Sequence, residues 1–144
     1  MSKEINPVCI KKKKDPVISL KERKSEFRFN NPERKEITCV QVDGCAIRDD
    51  GIRCDWMIIS SDVEHYIELK GCDVKHAIEQ LKRSIQLLSN NPAKGIKFAF
   101  VVSTRCPLSG TDVQKMQWMF KKKFNADLSI KNSPCIFPPS PNNK

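Results

Sequence analysis

The length, composition and charge of the chain exclude several classes of protein. With 144 residues, of which 39% are hydrophobic and 30% charged, it is long enough for one globular domain with a buried core. It has no apolar run of membrane-spanning length and no signal-peptide core near its start, so we expect a cytoplasmic protein without a membrane partner. The net charge of +9 favours a polyanionic partner such as nucleic acid, because basic groups release the counterions condensed on phosphates.

The cysteine pattern predicts reduced thiols rather than a disulfide framework. The number of cysteines is odd, and no two of them form a C-x-x-C pair. They are Cys9, Cys39, Cys45, Cys54, Cys72, Cys106 and Cys135.

Residues 1–17 are predicted to form a flexible basic arm ahead of a domain that spans residues 18–131. The arm has little apolar periodicity and carries a run of four lysines, Lys11, Lys12, Lys13 and Lys14. This run would either follow a phosphate backbone or form a solvated tail, since like charges repel one another. Residues 18–36 mix single apolar residues with many charges, and either a short helix or an extended segment fits them.

Three strands are predicted next. Residues 37–47 form the first, with a bend at Asp43-Gly44, and the Asp-Gly pair within residues 48–51 marks a hairpin turn. Asp43 is a possible metal ligand, but an Asp before Gly is more often a turn former. Residues 54–60 and 65–70 form the other two strands, because they are rich in β-branched and aromatic residues.

The third strand places two charged residues on one face. Alternate strand residues share a face, so Glu68 and Lys70 project together, opposite to Ile67 and Leu69. Unpaired charges near a core are costly unless they meet a metal, each other or a substrate. Asp55 opens the preceding strand and would lie on the face of Glu68 if the two strands form an antiparallel hairpin. Two carboxylates suit Mg²⁺, which usually takes one or two of them with water and phosphate oxygens.

The second half of the chain predicts alternating helices and strands. Asp73 caps a helix over residues 74–89, and Gln80 borders the apolar stripe of that helix. A nearly continuous apolar strand over 96–102 is typical of a buried parallel strand, and Arg105 just beyond it is a candidate phosphate contact. A helix over 112–124 with Thr111 as N-cap, an edge strand over 126–131 and a Pro/Asn-rich tail over 132–144 complete the chain.

The order of these features resembles the PD-(D/E)XK nuclease superfamily. Asp55 is followed thirteen positions later by Glu68-Leu69-Lys70, and Cys54 stands where many members have Pro. The resemblance implies a restriction-endonuclease-like αβββαβ core, a mixed central sheet flanked by helices. It also implies that Asp55 and Glu68 bind the metal with the Leu69 carbonyl, that Lys70 assists the attacking water, and that Gln80 lies near the site. Family members often have a leading helix with an acidic residue facing the metal, for which the candidates are Glu22, Glu26, Glu33 and Glu36.

These features favour a metal-dependent endonuclease, a hydrolase that uses Mg²⁺, or Mn²⁺ in its place, most plausibly on DNA. Specificity would come from loops, a homodimer or a partner protein. An alternative is a non-catalytic nucleic-acid-binding or assembly subunit with the same fold. A zinc-binding regulator built on Cys39, Cys45, Cys54 and Cys72 is disfavoured, because these cysteines have no paired short spacing.

Overall fold

The chain folds as an α/β protein in which β-structure predominates. A computed structural model describes residues 5–70, 73–104 and 110–139. The strands are β1 (Ile10–Lys13), β2 (Val17–Glu22), β3 (Ser25–Asn30), β4 (Ile37–Gln41), β5 (Trp56–Ser60), β6 (Val63–Lys70), β7 (Lys97–Ser103), β8 (Ala126–Asn132) and β9 (Cys135–Phe137). The α-helices are α1 (Val74–Leu88) and α2 (Gly110–Phe124), and a single 3-10 turn covers Pro7–Cys9.

A mixed six-stranded sheet in the order β1-β4-β5-β6-β7-β8 forms the centre of the fold. Neighbours from β1 to β6 are antiparallel, whereas β6, β7 and β8 run parallel and are joined through α1 and α2. The predicted parallel strand after a helical crossover and the predicted edge strand at β8 are therefore confirmed. Parallel neighbours need such a crossover, because a tight turn reverses the chain.

The two faces of this sheet pack against different layers. On one face, Tyr66 of β6 joins a core cluster with residues of both helices, such as Leu81 and Phe120. On the other face, Ile67 and Leu69 join a second cluster with the apolar residues of β2 and β3. The alternation that the sequence predicts for this strand is thus confirmed, and the strand is buried on both sides.

A second sheet, in the order β2-β3-β9, covers the face opposite the helices. The leading helix that the resemblance implies is not found here: in the described residues before β4, the only helical element is the 3-10 turn at Pro7–Cys9, and the extended alternative for residues 18–36 is the one observed. The reason is visible in residues 17–30, where Ile18, Leu20, Phe27 and Phe29 are buried and their neighbours are more exposed. This period of two specifies strands.

Both ends of the chain contribute strands where the sequence predicts an arm and a tail. Ile10–Lys13 pairs with β4, so the lysine run lies largely on an edge strand. Cys135–Phe137 pairs in parallel with β3. The local sequence does not reveal either strand, because each one forms only by pairing with a strand far away in the sequence.

Several predicted boundaries also change. The strand predicted over 37–47 ends at Gln41, and residues 42–55 form an irregular connection that includes Gly44 with a φ of 74°. The cap at Asp73 is confirmed by its Oδ1 accepting from His76 N at 3.1 Å. Thr111 is not an N-cap, because α2 already begins at Gly110.

The expectation that the cysteines are reduced is wrong for one pair. Cys9 and Cys45 form a disulfide across a sequence separation of 36 residues. The pairing of β1 with β4 brings the turn before β1 next to the turn after β4, a juxtaposition that cysteine spacing alone does not reveal. The described cysteines Cys39, Cys54 and Cys135 are free and buried. Neither helix is long and apolar enough in its described residues to cross a membrane.

His65 is buried between aromatic rings on the small-sheet side of β6. Its ring stacks on Phe98 with centroids 5.4 Å apart and meets the edge of Phe29 at 5.1 Å. Nδ1 lies 3.0 Å from the Ile58 carbonyl oxygen, to which it donates when it carries the proton. Burial lowers the pKa of His65 to about 4.

This pKa predicts a specific acid sensitivity. The unfolded chain takes up a proton near pH 6.5, whereas folded His65 resists protonation until near pH 4. The contribution of His65 to stability is therefore complete above pH 6.5 and is lost as the pH falls to 4, by about 3 kcal/mol. Urea unfolding of His65→Phe across this range should show a shallower pH dependence than unfolding of His76→Gln, which removes the exposed histidine. Equal pH dependence of stability in the two variants would contradict the assignment of a lowered pKa to His65.

Candidate active site

Asp55 lies at one end of the central sheet, where β5 begins and β6 ends. Its backbone N–H donates to Ile67 O at 3.2 Å, and its carbonyl accepts from Val42 N at 3.0 Å. Asp55 therefore extends the pairing of β5 by one residue toward both neighbouring strands. The backbone of this residue is fixed by the sheet rather than by a loop.

The carboxylate of Asp55 is also held by the neighbouring strand. Its Oδ2 accepts from Leu69 N at 2.8 Å. A residue in a strand projects its N–H and its C=O toward the same edge, so the Leu69 carbonyl faces the edge of β6 on which this carboxylate lies. This placement agrees with the role that the sequence predicts for Leu69.

Glu68 precedes Leu69 and lies on the helical face of β6, as the alternation with Tyr66 requires. Only 2% of Glu68 is exposed. Burial raises the pKa of the nearby Cys54 thiol, and the charges of Glu68 and Asp55 raise it further. Both carboxylates therefore act on the same thiol.

Helix α1 supplies a third polar group. Gln80 Nε2 donates to the Arg53 carbonyl at 2.9 Å. Its other side-chain atom, Oε1, is buried and accepts no hydrogen bond from the described residues. A buried amide oxygen in this situation is a costly feature that a water or another ligand would relieve.

A second contact from α1 anchors the segment that leads into Asp55. Ser84 Oγ accepts from Cys54 N at 2.8 Å and donates to Gln80 O at 2.9 Å. Ser84 was not predicted from the sequence. Its position could have identified it, because a serine one helical turn after Gln80 lies on the same helix face.

Arginines also hold the connection between β4 and β5, residues 42–55, in place. Arg83 forms a bidentate pair with Asp49, with N–O distances of 2.7 and 3.0 Å, and donates to Ile52 O at 2.8 Å. The Asp49 carboxylate thereby has a lowered pKa, mainly through its hydrogen bond with Arg83. Asp43 binds Arg53 Nε at 2.8 Å, so its carboxylate is paired with an arginine in the same connection.

The remaining predicted residues lie in different places. Lys70 is the last residue of β6, where its backbone is in register with Ser103 of β7. Arg105 lies outside the described residues. The lysine run is on or next to β1, which lies three strands from β6 in the sheet order.

The upstream glutamates are not brought to Asp55. Glu26 on β3 binds Arg28 at 2.9 Å, Glu33 binds Lys35 at 3.2 Å, and Glu36 lies 3.8 Å from Lys12. Glu22 ends β2 in the small sheet and is exposed. The absence of a leading helix from the described part of the chain explains why none takes the position that the resemblance implies.

The structure also separates the cysteines of the zinc hypothesis. Cys45 is bound to Cys9, whereas Cys39 and Cys54 belong to core clusters on opposite faces of the sheet. Cys72 lies outside the described residues. The described part of the chain contains no group of three or more His, Cys, Asp and Glu side chains that would hold a metal.

A pair of carboxylates with a backbone carbonyl is nonetheless a sufficient protein set for Mg²⁺. This ion keeps several waters and commonly uses one or two carboxylates together with substrate oxygens. Asp55, Glu68 and the Leu69 carbonyl supply hard oxygen ligands, and Gln80 Oε1 adds an acceptor for a metal-bound water. The donor set therefore fits the ion that the resemblance implies.

Comparisons of the chain with protein-family models, with curated proteins and with solved structures found no match. The function proposed below therefore rests on the geometry of the site.

Proposed function

We propose that this chain is a metal-dependent nuclease that hydrolyses phosphodiester bonds, with DNA as the favoured substrate. The observation that carries the proposal is that the Asp55 carboxylate is held against β6 by Leu69 N at 2.8 Å, while the next residue back on that strand, Glu68, is buried. The charges of both carboxylates raise the pKa of the Cys54 thiol, and Gln80, whose Oε1 is buried, binds the Arg53 carbonyl of the same segment. A divalent cation would stabilise two carboxylates at this end of the sheet.

Each residue has a distinct role in this proposal. Asp55, Glu68 and the Leu69 carbonyl would hold Mg²⁺, whose chemistry when bound would be to activate water and to stabilise negative charge on the scissile phosphate. The hydrogen bond from Leu69 N keeps the Asp55 carboxylate oriented toward β6. Gln80 Oε1 accepts a hydrogen bond from water in the site, and Lys70 orients or deprotonates the attacking water.

The arrangement of β4 to β8 also supports the proposed family. An antiparallel unit, β4-β5-β6, merges with parallel strands through α1, and the paired carboxylates lie where β5 and β6 meet. This order supports a core like the αβββαβ core of PD-(D/E)XK nucleases, with no leading α-helix in the described residues before β4. The net charge of +9 supports a nucleic-acid substrate, because it favours association with phosphates.

Replacing Glu68 by Gln should abolish cleavage. The substitution keeps the side chain's size but removes one anionic metal ligand, so we expect a rate loss on the order of 100-fold or more. The measurement is cleavage of supercoiled plasmid, linear duplex, single-stranded DNA and RNA in Mg²⁺, Mn²⁺ or EDTA. Asp55→Asn should behave in the same way.

The matched control is Glu79→Gln, which makes the same charge change on the exposed surface of α1. Glu79 is paired only with Lys82, at 3.2 Å, and such surface pairs contribute little. Equal cleavage by Glu68→Gln and the unaltered protein would disprove the assignment of the site. Metal-independent DNA binding without any cleavage would support the binding-subunit alternative.

The Lys70→Ala variant should keep metal binding and lose the activation of water. The ammonium group is not a metal ligand, so this variant should lose cleavage while Mg²⁺ still raises its unfolding temperature, as mass action requires for a ligand of the folded state. Glu68→Gln should lose both effects. The measurement is thermal unfolding over a Mg²⁺ titration, with Glu79→Gln as the control. An unchanged metal shift in Glu68→Gln would remove Glu68 from the ligand set.

A further inference from the structure

A pocket of about 140 Å³ lies between the first strand of the large sheet and the first strand of the small sheet. A single water needs only about 10–15 Å³ of such space, so the pocket has room for a group larger than water. The residues that give it chemical character are Lys11, Lys13, Ser19, Lys21, Gln41 and Trp56.

Strand geometry selects two residues from the lysine run for this pocket. Lys11 pairs with Cys39 across β1 and β4, and Cys39 belongs to the core cluster on the small-sheet side. Lys11 and Lys13 share that face, because they are two residues apart in a strand. Lys12 is on the other face and lies 3.8 Å from Glu36.

The charge of the pocket is strongly positive. Three lysines are among the residues that line it, and within the described part of the chain no ion pair joins Lys11, Lys13 or Lys21 to a carboxylate. Glu26, opposite Lys21 across β2 and β3, is already bound by Arg28 at 2.9 Å and by Ser19 Oγ at 2.5 Å.

The pocket and the candidate active site lie toward the same end of the central sheet. Gln41 ends β4 and Trp56 begins β5, and both line the pocket. Trp56 directly follows Asp55, whose carboxylate belongs to the active site on the helical side. Neighbouring strands are about 4.8 Å apart, so β1 lies roughly 14 Å from β6 across this sheet.

We propose that this pocket binds a backbone phosphate of the nucleic-acid strand outside the scissile bond, through Lys11, Lys13 and Lys21, with Trp56 against the adjoining nucleotide. The choice of nucleic acid over another phosphate source rests on the proposed function. A polynucleotide is favoured over a free anion because an indole offers a face for a base beside the ammonium groups. The location explains how one strand would contact both faces of the sheet, by passing over its end.

The test compares two double variants with the same loss of charge. Lys11→Gln/Lys13→Gln removes two pocket ammonium groups, whereas Lys12→Gln/Lys14→Gln removes two charges from the same run outside the pocket. Binding of labelled single-stranded and duplex oligonucleotides is measured by fluorescence anisotropy in EDTA, which prevents cleavage, between about 50 and 200 mM salt. The pocket variant should reduce the slope of log K against log salt by about 2, one for each phosphate-contacting lysine. The other variant should keep the slope of the unaltered protein.

Equal slope changes in the two variants would overturn the proposal in favour of a diffuse basic surface, and no change in either would exclude a contact here. Inorganic phosphate provides the second arm. At matched ionic strength it should weaken oligonucleotide binding by the unaltered protein toward the affinity of the pocket variant, and it should leave the pocket variant unchanged. If inorganic phosphate binds the unaltered protein but not the pocket variant, while both proteins bind the oligonucleotide equally, the site binds small anions and the assignment to a polynucleotide is wrong. Glu79→Gln, the surface control on α1, should bind like the unaltered protein. Because oligonucleotide binding is measured in EDTA and cleavage by Glu68→Gln is measured separately, failure of catalysis and failure of the pocket give different results.

Discussion

The central constraint on this fold is the burial of ionisable residues along β6. The strand pairs with β5 on one edge and β7 on the other, and both of its faces are covered. Each polar side chain on it therefore needs a specific environment, because burial without a partner costs several kcal/mol. The layers above and below β6 supply these environments, and in doing so they fix where the helices and the small sheet lie.

Two buried glutamates on β6 have different roles, one structural and one in the proposed active site. Glu64 and Glu68 lie four residues apart on one face of the strand, so the sequence gives them equivalent positions. Glu64 accepts from Tyr66 OH at 3.0 Å, from Ser89 Oγ at 2.6 Å and from Asn90 N at 2.9 Å. These donors tie the end of α1 to the sheet, which is a structural role. At the other end of the strand, Glu68 is also buried, and its charge acts together with that of Asp55 on the Cys54 thiol.

The part of the fold that local patterns specify was predictable. The segment from β5 through α1 to β7 combines strong strand composition, a capped amphipathic helix and a continuous apolar strand, and each signal lies within about fifteen residues of sequence. The antiparallel hairpin of β5 and β6, which places Asp55 beside the end of β6, also followed from local patterns. The anchoring of Asp55 by Leu69 N and of Cys54 by Ser84 did not, because these contacts depend on where β5 starts and how α1 is rotated.

The N-terminal strands were not predictable for a different physical reason. An edge strand gains only one set of hydrogen bonds and often carries lysines, which prevent pairing with other chains. Such a strand has the composition of a solvated arm, and β1 shows this ambiguity with its three lysines. Its position depends on β4, and the Cys9–Cys45 disulfide joins the same two regions covalently.

These strands also determine how the two faces of the sheet divide the work. Trp56 packs on the small-sheet side, and the alternation of side chains along a strand places its neighbour Asp55 on the helical side. The helical layer needs only β4 to β8 to assemble the carboxylates. The opposite layer is the small sheet of β2, β3 and β9, and the basic pocket lies between β2 and the edge strand β1. The lysines of β1 therefore lie on the face of the large sheet that the helices do not cover, where we propose a contact with phosphate.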